Sequence, residues 1–169
     1  MRYPDNARSA NISIYKSTAS LPYLLNRAGV RMGNLFSREL AADDLSLNMY
    51  RTLAILREKG ELRLSDLAAH TGVELSTLSR MVGTLKQRGL VIRQRPEDNA
   101  RTVAITLTPP GQALVERYLP KALSYEKEAL NGFTRQEKQK IKSELIKINK
   151  NLDVTEKKLN ATKTNLEKR

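Results

Sequence analysis

Between Leu21 and Phe36 the chain has a helical rhythm: Leu21, Leu24, Leu25, Ala28, Met32, Leu35 and Phe36 recur at three- and four-residue spacing. Pro22 suits a first turn after Ser20, where a missing amide costs nothing. The stripe predicts a long amphipathic helix reaching about Ala42. The residues through Asn11 have no periodicity and read as a mobile arm or a segment ordered by a partner. Asp43 and Asp44 interrupt the pattern, and Ser46 can cap a second helix that carries Met49, Leu53 and Leu56 and stops at Gly60.

A short apolar and polar alternation, Glu61 to Leu64, predicts a brief strand. Ser65 is placed to cap a helix of barely two turns, with Leu67, Ala68 and Ala69 before Gly72. After Thr71-Gly72-Val73, a third periodic segment sets Leu78, Val82 and Leu85 on one face, with Met81 beside them, until Gly89. Two short helices joined through glycine make a helix-turn-helix candidate. The period then changes to two. Leu90 and Ile92 are expected to point one way, and Val103, Ile105 and Leu107 alternate with smaller or polar residues. Arg95 to Ala100, with Pro96, Asp98 and Asn99, reads as the loop of this hairpin, or wing.

Thr108 can cap the next helix, with Pro109 and Pro110 in its first turn and Leu114, Tyr118 and Leu119 beginning its stripe. Pro120 can bend it, and Asn131-Gly132 ends it. Thr134 and Glu137 form a capping box for a last helix carrying Ile141, Leu145 and Ile148. Lysines dominate beyond it, and residues 153–169 have too few apolar positions to pack by themselves, so a frayed basic tail is expected. The fold class is therefore mainly α with a small β-wing. Nothing suggests a repeat or a second domain.

Composition narrows the function. The chain of 169 residues carries a formal charge of +12, more than solubility requires, and such a field attracts polyanions. A solvated lysine surface is the plainer reading of charge alone. With no cysteine, thiolate catalysis, disulfides and cysteine redox switching are excluded, and the single histidine, His70, leaves too few soft ligands for a transition-metal site. His70 reads as a surface residue. No phosphate-binding glycine loop and no serine-histidine-aspartate set suggest an enzyme, and no cofactor is implied. Apolar runs are too short for a membrane span and no signal segment leads the chain, which points to a soluble, cytoplasmic protein.

The candidate chemistry lies on the third periodic helix. Opposite its apolar face stand Ser76, Thr77, Arg80 and Gln87, with Lys86 and Arg88 near its end. A major groove about 12 Å wide admits such a helix; short residues let the backbone come close while an arginine reaches base edges or phosphates. From Arg80 to Arg101 six basic residues, Arg80, Lys86, Arg88, Arg93, Arg95 and Arg101, face two acids, Glu97 and Asp98. Double-stranded DNA is the expected partner. Arg101 at the wing can enter a minor groove, and Asp98 or Asn99 can brace it. Ser76 as an ordinary polar residue and Arg101 as a solvated charge are the competing readings.

Residues 45–114, from "LSLNMYRTL" through "ELSTLSRMVGTLKQRGLV" to "NARTVAITLTPPGQAL", resemble the multiple antibiotic resistance regulator (MarR) family. The family's wing carries aspartate, any residue, arginine. Here Arg101 matches, whereas Asn99 takes the aspartate position and Asp98 sits one earlier. The resemblance implies a winged helix-turn-helix over 45–108, with 12–44 and 109–152 as dimerisation helices of a homodimer. The unpaired stripes of those helices favour this independently. Two-fold symmetry predicts a pseudo-palindromic operator with half-sites about one helical turn apart. The resemblance further implies a repressor, released when a small aromatic or phenolic effector binds between the dimerisation helices and the DNA-binding lobe. Arg31 and Tyr50 are family-style candidates for that pocket, against plainer roles as a surface charge and a core aromatic. A winged-helix protein that binds other proteins, or a lysine-driven binder that reads no sequence, remains the alternative.

Overall fold

A computed structural model describes residues 16–94 and 103–167. The chain groups into two compact units, Met1–Glu126 and Lys127–Arg169. The first begins with helix α1, Leu21–Leu40, whose N-cap Ser20 accepts the amide of Tyr23. A 3-10 turn, Ala41–Asp43, follows, and Asp44 takes a left-handed conformation (φ 49°). Helix α2, Leu47–Lys59, is capped by Ser46, which accepts the amide of Met49 at 3.1 Å.

Strand β1 is Leu62–Arg63, and helix α3 runs from Leu64 to Thr71. The expected Ser65 cap is wrong. Arg63 holds the N-cap position without a side-chain bond, and the Ser65 hydroxyl donates to Asp66 instead, because the helix begins as soon as the strand ends. Gly72 (φ 65°) turns the chain into helix α4, Leu75–Gln87. That helix closes with paired bonds, from the Gly89 amide to the Lys86 carbonyl and from the Leu90 amide to the Leu85 carbonyl. This is a Schellman arrangement, which requires the left-handed φ of 69° that Gly89 supplies.

Strands β2, Val91–Gln94, and β3, Ala104–Leu107, pair antiparallel with Val91 opposite Leu107, and β1 adds to the other edge of β3, giving the order β1-β3-β2. Leu90 and Ile92 do not share a face. Leu90 belongs to the helix-closing turn, so the strand starts one residue later; Val91 is buried and Ile92 is exposed. Helix α5, Pro109–Ala129, continues through Pro120, and Thr108 caps its first turn by accepting the Gly111 amide at 3.1 Å.

Leu40, Leu53, Leu56, Leu67, Leu78, Val82, Leu85, Ile105 and Val115 form the centre of one core, drawn from every helix of this unit and from β3. Phe36, Tyr50 and Tyr118 join it edge to face, with 4.8 Å between the Phe36 and Tyr50 ring centres. Among the described residues no helix is long and apolar enough to cross a membrane, and no cluster of three or more His or acidic residues could hold a metal ion.

The second unit is dominated by helix α6, Arg135–Glu167. The capping box is present: Glu137 accepts the Thr134 amide and hydroxyl, both at 2.8 Å, while the Thr134 hydroxyl accepts the Glu137 amide. The helix continues without a break to Glu167, through most of the segment expected as a basic tail. Apolar density after Asp153 is low, but no glycine or proline interrupts the segment and its residues are mostly helix-compatible.

Candidate nucleic-acid interface

Helix α4 is held by the face that points inward. Leu78, Val82 and Leu85 are completely buried, so the rotation of the rod about its axis is fixed by packing. Ser76, Thr77, Arg80, Lys86 and Gln87 consequently lie on the exposed side. Leu75, the first helical residue, is 48% exposed on this same end, an apolar contribution that the sequence pattern did not single out.

The start of the helix is closed by an acidic cap. Glu74 is the N-cap: its carboxylate accepts the amides of Ser76 at 2.9 Å and Thr77 at 3.0 Å, and the Ser76 hydroxyl also donates to it. These bonds, the Ser76 hydroxyl first, hold the Glu74 carboxyl below its ordinary range. An acidic residue just ahead of an apolar periodic run is a capping signal, and it was legible in the sequence. The orphan amides are thus satisfied by the chain itself, and Arg80 stands exposed about one turn further along.

Arg88 has other partners. Its guanidinium donates to the backbone carbonyls of Asp44 at 3.0 Å and Asp43 at 2.6 Å, in the turn between α1 and α2. Asp43 in turn receives the Tyr118 hydroxyl and the Arg117 guanidinium through its carboxylate, so α1, α4 and α5 meet at one acid. Both bonds, Tyr118 first, lower the Asp43 carboxyl. One turn back along α1, Glu39 receives Lys121 and, at 3.0 Å, the Tyr125 hydroxyl, and is lowered by Lys121 first. Arg95 and Arg101, with the wing-tip Asp98 and Asn99, lie outside the described residues. His70 is exposed.

Beside the aromatic cluster is a cavity of about 170 Å³, lined by Met32, Gly33, Phe36, Leu47, Tyr50, Arg51, Ala122, Tyr125 and Glu126. Cavities near this size admit a single aromatic ring. Tyr50 both packs in the core and lines this space. Arg31 is exposed and is not part of the lining; the arginine at the cavity is Arg51, on the face of α2 that turns toward α1. Gly33 permits the approach of these two helices, since a Cβ there would meet the Leu47 side chain at 2.7 Å.

Comparison with known proteins places this arrangement. The MarR family profile matches residues 45–103, from the start of the winged segment to the edge of β3. The transcriptional repressor IacR of Pseudomonas putida is 28% identical over 131 residues, 78% of each chain. A MarR-family transcriptional regulator from Silicibacter pomeroyi superposes with a TM-score of 0.74 at 33% identity, covering 81% of this chain and 92% of that one. BpsR of Bordetella bronchiseptica, whose DNA binding is regulated by 6-hydroxynicotinic acid, superposes with a TM-score of 0.71 at 28% identity over 80% and 96%. These relatives are regulators rather than enzymes, and with a third of its residues shared across nearly the whole of one of them, the chain belongs to the MarR family of DNA-binding transcriptional regulators.

Proposed function

We propose that the protein is a homodimeric repressor that reads a pseudo-palindromic operator with α4 and is released by a small aromatic acid. The observation that carries this is the division of α4 into a fully buried face, Leu78, Val82 and Leu85, and an exposed face bearing Ser76, Thr77, Arg80 and Lys86. Such a helix can enter a major groove without disturbing its own core. Thr77 and Arg80 reach base edges, Leu75 meets a thymine methyl, and Lys86 with the wing residues Arg95 and Arg101 neutralises phosphates. Residues 45–108 form the DNA-binding lobe, and 12–44 with 109–152 supply dimerisation. Exposed Leu21, Leu24, Leu25, Met32 and Leu35 along α1 support a second subunit as their cover.

The effector reading rests on the cavity between α1, α2 and α5. Its rings suit an aromatic ligand and Arg51 suits a carboxylate, in keeping with the hydroxynicotinate response of BpsR. A ligand there would favour one spacing of the two lobes over another. Site of action is the chromosome in the cytoplasm.

Replacing Arg80 with Ala tests the central claim. Operator affinity should fall by about 1–3 kcal/mol while affinity for random duplex changes little, because base contacts discriminate and phosphate contacts do not. An equal fall on both duplexes would leave α4 without a reading role.

A further inference from the structure

Two tyrosines of α5 donate to acids at and just after the end of α1, and they differ in what lies behind the acid. Tyr125 lines the cavity and donates to Glu39, whose other partner is Lys121. Tyr118 is not part of the lining, but its ring centre stands 6.4 Å from those of Phe36 and Tyr50, edge to face, and both of these rings are cavity wall. Its hydroxyl donates to the Asp43 carboxylate, and the Asp43 backbone carbonyl accepts the Arg88 guanidinium of α4 at 2.6 Å. Tyr118 therefore touches the wall of the cavity with its ring and the anchor of α4 with its hydroxyl. That bond is either made or lost. Tyr118 is 4% exposed, so a displaced ring gives up Asp43 with little water at hand to replace it. Asp43 first and burial second raise the pKa of the hydroxyl, which stays a donor at neutral pH. The other tie to Asp43 comes from Arg117, whose side chain is 57% exposed; solvent screens that pair, and the long side chain can follow the acid.

We propose that Tyr118 is the positioning residue through which occupancy of the cavity reaches α4. A ring entering the cavity displaces Phe36 or Tyr50, and in a close-packed cluster that displacement turns the Tyr118 ring rather than being absorbed. Its hydroxyl then leaves Asp43, and the turn carrying the Asp43 and Asp44 carbonyls no longer holds Arg88 in place. Helix α4 keeps its buried face but loses the anchor of its last turn, so its exposed face fits a groove less well. This rests on the cavity being the effector site, and it adds the route by which an effector there is felt. The competing route is direct. Helix α2 also supplies cavity wall, Leu47 and Arg51, and its Thr52 hydroxyl lies 3.5 Å from the Met81 sulfur of α4. That route does not pass through the Tyr118 hydroxyl.

A side chain can stand in for the effector, because Ala122 is part of the wall and Ala122→Phe places a ring in the cavity; if that variant does not fold, Ala122→Leu makes the same test. In the full-length protein, on an operator selected from random duplex, Ala122→Phe should lower affinity on the order of tenfold. Tyr118→Phe, which keeps the ring, should lower it by a similar factor, and the two together should lose no more than either alone. Losses that multiply leave the cavity its role and overturn the route through Tyr118, as does a Tyr118→Phe protein that binds like the parent. A folded Ala122→Phe protein that binds like the parent removes the cavity as effector site, and the proposal with it. Glu39→Gln weakens the neighbouring α1–α5 tie without touching Asp43, and should leave the Ala122→Phe loss intact; non-additivity there as well would overturn the assignment to Tyr118. Hydrogen exchange separates positioning from general destabilisation. Tyr118→Phe should speed exchange of the Gly89 and Leu90 amides, which close α4, several-fold and leave the Gly72 amide, which closes α3, unchanged. Equal acceleration at both places makes the role merely structural and overturns the proposal.

Discussion

The guanidinium of Arg88, at the end of α4, donates to the backbone carbonyl of Asp44 at 3.0 Å, tying this helix to the turn between α1 and α2. Asp44 can present that carbonyl because it sits in a left-handed conformation, with φ of 49°. Through Asp43 the same turn is bonded to Arg117 and Tyr118 of α5. A displacement of α1 or α5 therefore reaches the end of α4 through hydrogen bonds rather than through a mobile linker.

Arg88→Ala separates this role from a phosphate contact. Loss of the tether should lower the melting temperature by about 2–4 °C, the change for roughly 1 kcal/mol in a chain of this size. Operator binding should weaken with an unchanged salt slope. A slope reduced by about one in log-log form would make Arg88 a phosphate ligand instead.

Gly111 lies where α5 passes the end of α4, and a Cβ added there would collide with the backbone carbonyl of Leu90, which is itself the acceptor for the Thr108 amide. Backbone cannot swing aside as a side chain does. Gly111→Ala should destabilise by about 1–3 kcal/mol or more in chemical denaturation, despite the usual helix preference for alanine. A neutral or stabilised variant would mean that α5 and the wing are not fixed as described.

Acid should loosen the α1–α5 contact. In the folded chain Asp43 titrates below its ordinary 3.8, held by Tyr118 and Arg117, and Glu39 titrates below its ordinary 4.5, held by Lys121 and Tyr125. Unfolding returns both to ordinary values. Their contribution is complete above about pH 5 and is lost as the pH falls through the lowered folded values. Asp43→Asn with Glu39→Gln should flatten the acid limb of a stability–pH curve from denaturant melts; an identical limb would assign acid unfolding to other carboxylates.

Arg51→Met should leave operator binding intact and raise the aromatic-acid concentration for half release by about tenfold or more, since a lost charge-assisted bond is worth roughly 1.5–3 kcal/mol. Arg31→Met should change neither in titrations followed by fluorescence anisotropy. The reverse outcome would move the effector away from the cavity beside Tyr50.

The elements were legible in the sequence because their causes are local. Stripes at 3.6-residue spacing, caps at Ser46 and Thr108, the Thr134-Glu137 box and the glycine turns at 72 and 89 all act within a few residues of themselves. The exposed face of α4 followed from the same period. Other features depend on residues far apart in the chain. Pairing with β3 decided that Val91 points inward and Ile92 outward, a shift of one residue that a period-two pattern cannot resolve. Packing of α1 on α2 and α5 put Arg51, not Arg31, at the cavity, and turned Arg88 toward the Asp43 and Asp44 carbonyls. A sequence states which side of a helix is apolar; which distant groups its polar side will meet is settled only when helices cross, because their angle and separation come from side chains supplied by both.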